Sequence, residues 1–183
     1  MYNNSPIRDI IYTHNRGDIM ENVKELAKFI LSLDKDDQVF HYESIVLNGR
    51  ECLAGKVRLN KYLHIMQMMY ISLYDQKLFN ENMYAYDNGA VIDEILNSYA
   101  ELRINRDNYS LENEENVKPF IKKMYEMLKP APLDILIEIS HQDEEWIKKH
   151  NYYAKSDQLM NIDSQKENYK ELCADFIKLY KND

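Results

Sequence analysis

The stretch GKVRLNKYLHIMQMMYISLY, Gly55 to Tyr74, decides how the rest of the chain is read. From Leu59 to Leu73 its apolar residues (Leu59, Tyr62, Leu63, Ile65, Met66, Met68, Met69, Tyr70, Ile71 and Leu73) cover most of the circumference of an α-helix rather than one stripe. A helix of that kind has to be enclosed by others. Asn60, Lys61, His64 and Gln67 share its one polar face, because offsets of four and seven residues return to nearly the same side of a turn. At about 1.5 Å per residue the segment runs roughly 22 Å, enough to thread a small domain. It is too short in continuous apolar residues, and carries Lys61 and His64 inside, so it reads as a core helix and not a membrane span.

A chain of 183 residues is long enough to bury one good core and short enough to be one cooperative unit. Hydrophobic residues at 45 % and charged residues at 30 % exclude a disordered chain. Four glycines and four prolines are few for a β-sandwich, which favours helices. The net charge of -8 argues against a surface that tracks nucleic-acid phosphates and suits a basic partner. Cys52 and Cys173 are far apart and lack the further cysteines of a metal knuckle, so two reduced, packed thiols are expected. The start, MYNNSPIRDIIY, shows no basic-then-apolar leader, and a cytoplasmic location is expected.

Along the chain, residues 1–18 form an N-terminal extension ahead of one helical domain spanning 19–183. Asp18 and Glu21 have capping-box spacing, and Ile19, Val23, Leu26, Ala27 and Ile30 then recur at helical offsets, predicting a helix over 19–33. Val39 to Leu47 fits a short helix or a strand, and Asn48-Gly49 is a favourable two-residue turn, so a small β-hairpin near 39–54 is compatible with the pattern. After the central helix, LFNENMYAYDNGAVIDEI is an extended passage turning at Asn88-Gly89, and Ile92, Ile95, Leu96, Tyr99 and Leu102 mark another helix. Residues 103–115 read as a polar loop. Val117, Phe120, Ile121, Met124, Tyr125 and Leu128 repeat as a helix that Pro130 and Pro132 stop. Leu133 to Ser140 fits a strand or a buried helix, and helix is favoured by Pro132 ahead of it. A short acidic-headed helix follows near Trp146, and Ser164 with Glu167 caps a closing helix through Tyr180. The expected architecture is therefore all-α, with six or seven helices around the buried central one.

The sequence offers little catalytic chemistry. None of Gly17, Gly49, Gly55 and Gly89 sits in a phosphate-cradling glycine pattern. No two of His14, His41, His64, His141 and His150 have the helical spacing of a metal pair, although His141 with Asp143, Glu144 and Glu145 could gather a cation. A Cys-His nucleophile would need Cys52 or Cys173 beside His41, His64 or His141, whereas Cys173 lies on an apolar helix face with Leu172 and Phe176. Asn60, His64 and Gln67 read as a polar pocket or as a buried hydrogen-bond network holding neighbouring loops, and the network is favoured because buried polar groups need partners whatever the function. The interval Pro132 to Ile147 holds Asp134, Glu138, Asp143, Glu144 and Glu145 without Lys or Arg. It adjoins Trp146, the only tryptophan, and an aromatic anchor rimmed by carboxylates suits a basic protein partner.

The passage from Leu59 to Tyr99 resembles the Panacea domain of the SocA-like antitoxin family, whose proteins are also phage-associated or carried on mobile elements. Leu59, Lys61, Leu63, Gln67 and Tyr70 match the family's L-x-K-L-L-Y-x-x-Q helix, Leu78, Phe79 and Glu81 its L-F-x-E, and Ala85, Gly89, Val91 and Glu94 its following turn. Ile139 to Trp146 is similar to its L-T-H-x-E-x-x-W element. Tyr86 stands where the family has tryptophan, Asn88 where it has tyrosine, and Ala90 and Asp93 where it has prolines. The resemblance implies an all-α, non-enzymatic antitoxin that needs no cofactor and neutralises a toxin by direct contact or by presenting it to a ClpXP-type protease. It leaves room for a phage inhibitor of a host nuclease such as a CRISPR effector, and a hydrolase using His141 is the remaining alternative. The expected partner-binding residues are Tyr84, Tyr86, Asp87, Asn88, Asn108, His141, Glu144, Glu145 and Trp146. No metal, nucleic acid or membrane is expected to bind directly.

Overall fold

The computed structural model describes residues 20–182. The expected extension 1–18, and with it the Asp18 cap, lies outside them. The first helix, α1 (Val23–Leu33), starts later than its apolar pattern suggested, because Asn22 is the residue that caps it: its side chain accepts from Lys24 N at 2.9 Å and Glu25 N at 3.4 Å. Glu21 instead turns inward, 3 % exposed, and takes the amides of Glu112 and Asn113. Asp34, which ends α1, is also buried and accepts from the amides of Gln38, Val39 and Phe40. That carboxylate folds the chain back so that Val39 and Phe40 enter the core.

The hairpin compatible with 39–54 forms as β1 (Ser44–Leu47) and β2 (Arg50–Leu53), paired antiparallel. Its turn residues Asn48 and Gly49 both have positive φ, 49° and 74°, the backbone that matches strand twist in a two-residue turn. The central helix α2 (Ala54–Tyr74) follows directly and is longer at its start than the apolar run. Fifteen of its residues are buried, including all four of its polar stripe, which is why its apolar pattern has no single side. The chain enters α2 at Gly55, where an added Cβ would lie 2.6 Å from the Phe40 and His41 backbone. Two segments of main chain touch there, and Tyr99 secures them through its hydroxyl on the Phe40 carbonyl at 2.8 Å.

A second hairpin, β3 (Tyr84–Tyr86) with β4 (Gly89–Val91), makes the fold mostly rather than strictly α. The turn residues are Asp87 and Asn88, one position earlier than Asn88-Gly89, because Gly89 pairs with Tyr86 while holding φ at 94°. Helices α3 (Asp93–Ile104), α4 (Glu114–Leu128) and α5 (Leu133–His141) then pack on α2, and α6 (Glu144–Lys149) packs on α5 and β3. The ambiguous segment after Pro132 is thus helical. The closing helix is two pieces, α7 (Lys166–Leu172) and α8 (Ala174–Asn182), so the described residues hold eight α-helices instead of six or seven. Ser164 does not cap α7. It sits in a short 3-10 turn, Ile162–Ser164, and its hydroxyl donates back to Asn161 O. The break at Cys173 lets Tyr169 on α7 point into the core while Tyr180 on α8 reaches Phe120, ring centres 5.9 Å apart. Helix α2 touches α3, α4, α5, α7, α8, β2 and β4, which encloses it on every side.

Candidate functional site

The polar stripe of α2 positions everything around it. Asn60 Oδ1 accepts from the Ile92 amide at 2.9 Å, Lys61 Nζ donates to the Ala90 carbonyl at 2.7 Å, and Gln67 bonds the Leu78 and Phe79 backbone. Each such bond contributes about 1 kcal/mol net, but a buried donor or acceptor left without its partner costs about 1–3 kcal/mol, so the stripe fixes where the second hairpin sits. Asn60 and Lys61 thus hold β4 and the chain just after it, and Gln67 holds the Leu78–Phe79 segment.

His64 is the centre of a longer chain. Its Nδ1 is 3.0 Å from Ser140 Oγ on α5, and its Nε2 is 2.8 Å from an oxygen of Asp143, which Tyr169 OH also reaches at 2.8 Å. The carboxylate fixes the imidazole proton on Nε2, so Nδ1 accepts from the Ser140 hydroxyl. Ser140 Oγ in turn accepts from the Ala90 amide at 3.0 Å, and Asp143 also caps α6 by accepting from Glu145 N at 2.8 Å. Burial pushes the Asp143 carboxyl up, but the hydrogen bonds from His64, Tyr169 and Glu145 outweigh it and leave the group below the usual carboxylate range. Burial and the adjoining carboxylate hold the Tyr169 hydroxyl well above its ordinary pKa. Ser140, His64 and Asp143 have the connectivity of an acyl-transfer triad. All three are 0 % exposed, so no substrate carbonyl meets the hydroxyl, and the chain acts as a strut joining α2, α5, α6 and α7. Two members carried a sequence signal, His64 in the polar stripe of α2 and Asp143 as an acid beside His141. Ser140 appeared only within the Ile139 to Trp146 element and Tyr169 was not marked as a site, because serines and tyrosines in helices are too common to stand out by themselves.

The surface over this strut holds most of the expected partner-binding residues. Tyr84 and Tyr86 are half-buried on β3 with rings stacked at 6.0 Å, Asp87 is exposed at the hairpin tip, and Asn88 accepts from Asn48 Nδ2 at 2.8 Å. Tyr86 OH donates to Asp93, which also pairs with Lys155, and Lys155 lies over the Tyr84 ring. Trp146 is not a projecting anchor. Its indole N–H donates to the Tyr86 carbonyl at 2.8 Å, and its ring is stacked between His141 at 3.9 Å and His150 at 4.1 Å, both nearly parallel to it. It is 8 % exposed, and Glu145, 6 % exposed, accepts from the Asn161 amide. Trp146 braces the hairpin from below, Glu145 ties down the Asn161 amide, and both expose little to a partner. Glu144 is exposed but engaged by Lys148 and Asn168, so the acidic run is locally offset by cations that follow it in sequence. Asn108 is exposed elsewhere, in the loop that Glu21 and Glu25 tie to the start of α1.

His141 Nε2 is buried with no hydrogen-bond partner, and burial followed by the nearby Lys61 charge lowers its pKa. Among the described residues no three His, Cys, Asp or Glu side chains converge as a metal site. Cys173 is buried, which pushes its thiol up to about 11, and Cys52 is half-buried on β2 with a raised pKa of the same cause. Both conditions keep a thiol protonated and poorly nucleophilic. Among the described residues no helix is long and apolar enough to cross a membrane.

Residues 59–147 match the family model described as antitoxin SocA-like, Panacea domain. The match runs from the first buried leucine of α2 to α6, and so takes in the polar stripe, the second hairpin and the Ser140–His64–Asp143 strut. No curated protein and no solved structure matches the chain.

Proposed function

We propose, from the match of residues 59–147 to the SocA-like Panacea family, that this protein is an antitoxin that neutralises a toxin protein by binding it. The observation that carries the reading is that match, which lies over the part of the fold whose interior is fixed by hydrogen bonds and whose outer face is a rigid hairpin. Partner contact falls to the exposed and half-exposed members of the expected set on this face, Tyr84, Tyr86, Asp87, Asn88, His141 and Glu144, with the exposed Asn108 standing apart from them. Trp146 and Glu145 hold that face in shape. The net charge of -8 favours a basic partner, with carboxylates such as Asp87 at its rim speeding encounter. Binding of this kind needs no catalytic group, and handing the toxin to a ClpXP-type protease would use the same face.

The test is capture of the tagged protein from its native host, identification of the protein that co-purifies, and co-expression of the two in a growth assay. The expected result is a stoichiometric, salt-sensitive complex and rescue of growth that Asp87→Lys with Tyr86→Ala weakens. Recovery of only metabolites or RNA, or toxicity unaffected by co-expression, would overturn the proposal.

A further inference from the structure

A cleft of about 640 Å³ opens between the two hairpins and the 150–158 segment, with the first turns of α2 as its floor. The hairpin tips are latched across it by the Asn48–Asn88 hydrogen bond, and Arg50 on one tip stands 4.0 Å from Asp87 on the other. Its volume is in the range of small-molecule sites. Its charge runs against the rest of the chain. Among the described residues Arg50, Lys56 and Lys61 line it, and Asp87 is the only carboxylate that does. Arg50 and Asp87 offset one another, which leaves Lys56 and Lys61 without an acidic partner among the described residues.

Lys61 is the unusual member. It is 1 % exposed, its ammonium has a single hydrogen-bond acceptor among the described residues, the Ala90 carbonyl, and a Cβ on Gly89 would come within 2.7 Å of its nitrogen. An ammonium carries three donors, and a buried cation with one neutral acceptor is costly unless an anion completes its surroundings. Burial alone draws its pKa to about 7, so an arriving anion would restore the charged form. The rim is aromatic. Tyr86 and His150 line the inner wall, while Tyr152 is 52 % exposed and Tyr153 is fully exposed.

We propose that this cleft binds a small phosphate monoester carried on a planar ring, of the size of a nucleoside monophosphate. Two unpaired cations match the charge of about -1.5 to -2 that a phosphate monoester carries near neutral pH, which a single carboxylate would leave half-compensated. Lys56 takes the phosphate at the floor with the charge of the buried Lys61 behind it, the ring stacks on the tyrosines, and the Asn88 and Asn151 amides are in reach of polar ring edges. The site is independent of the protein-binding reading, although it shares the tip of the second hairpin with it.

The experiment titrates the full chain with AMP, UMP, adenosine and inorganic phosphate, by calorimetry and by the shift in melting temperature. Both monophosphates should bind, with adenosine and phosphate alone each weaker by about tenfold or more, since each supplies only half the contacts. Lys56→Gln, at a half-buried position, should lower monophosphate affinity by about fivefold or more, and Tyr152→Ala by a similar factor. Lys61→Met should abolish binding. Lys56→Gln and Tyr152→Ala decide the matter should Lys61→Met fail to fold. Absence of saturable monophosphate binding at millimolar concentration, or affinity indifferent to Lys56→Gln and Tyr152→Ala, overturns the proposal.

Discussion

Replacing Asp143 by alanine tests the strut that joins four helices. The carboxylate accepts from His64 Nε2, Tyr169 OH and the Glu145 amide, each at 2.8 Å, and is 0 % exposed. Alanine would leave three buried donors without an acceptor and open a small void. At about 1–3 kcal/mol per stranded donor, with some recovery as Tyr169 rotates and His64 shifts its proton, the expected cost is about 3–5 kcal/mol. That is a large share of the roughly 5–15 kcal/mol available to a domain of this kind. Asp143→Asn should cost less, because its amide oxygen can still accept from Glu145 N and its amino group can donate to a re-oriented Tyr169 hydroxyl. Urea unfolding followed by tryptophan fluorescence reads this directly, since Trp146 is the only tryptophan and packs immediately after the cap that Asp143 provides. The Asp143 carboxyl is held below its ordinary range in the fold, so its contribution is complete above the usual carboxylate pKa and disappears as pH falls through the lowered folded value. The wild-type chain should therefore lose stability on acidification more steeply than Asp143→Ala does. A cost under about 1 kcal/mol, or parallel acid profiles for the two chains, would refute the strut.

Lys61, with its pKa drawn to about 7, holds fewer protons folded than unfolded from there upward, so stability should rise between pH 7 and 9. Lys61→Met should lack that rise, as denaturant midpoints measured across the range will show. Gly89→Ala places a Cβ 2.5 Å from Ser140 Oγ at a φ of 94°, whereas Gly49→Ala at φ 74° meets nothing within 4 Å. Both strain the backbone, but Gly89→Ala should cost about 1–3 kcal/mol more by paired thermal unfolding, and equal losses would mean that the hairpin is free to move off α5. Trp146→Ala should remove the stack between His141 and His150 and loosen β3. Amide exchange at Tyr84 to Val91 should then rise by an order of magnitude or more if the indole braces the hairpin, and stay unchanged if it does not.

What the sequence determined by itself were features written in local periodicity and turn chemistry. An apolar run wrapping all sides of α2 called for a buried helix, Asn48-Gly49 favoured a tight turn, and the apolar repeat of α4 ended before Pro130 and Pro132. The same local signals misplace boundaries when a distant group takes the cap. Asn22 caps α1 while Glu21 is drawn away to the 112–113 amides, and Ser164 sits in a 3-10 turn because α7 is placed by its packing on α2. The polar stripe announced that Asn60, Lys61, His64 and Gln67 needed partners but not which ones, since hydrogen bonding does not constrain sequence separation. Only the tertiary structure joined His64 to Ser140 and Asp143, 76 and 79 residues away, and added Tyr169 from the far end of the chain. It also turned Trp146 inward and gathered Arg50, Lys56 and Lys61 around one cleft, because burial and electrostatic balance are properties of the closed fold and not of any window of sequence.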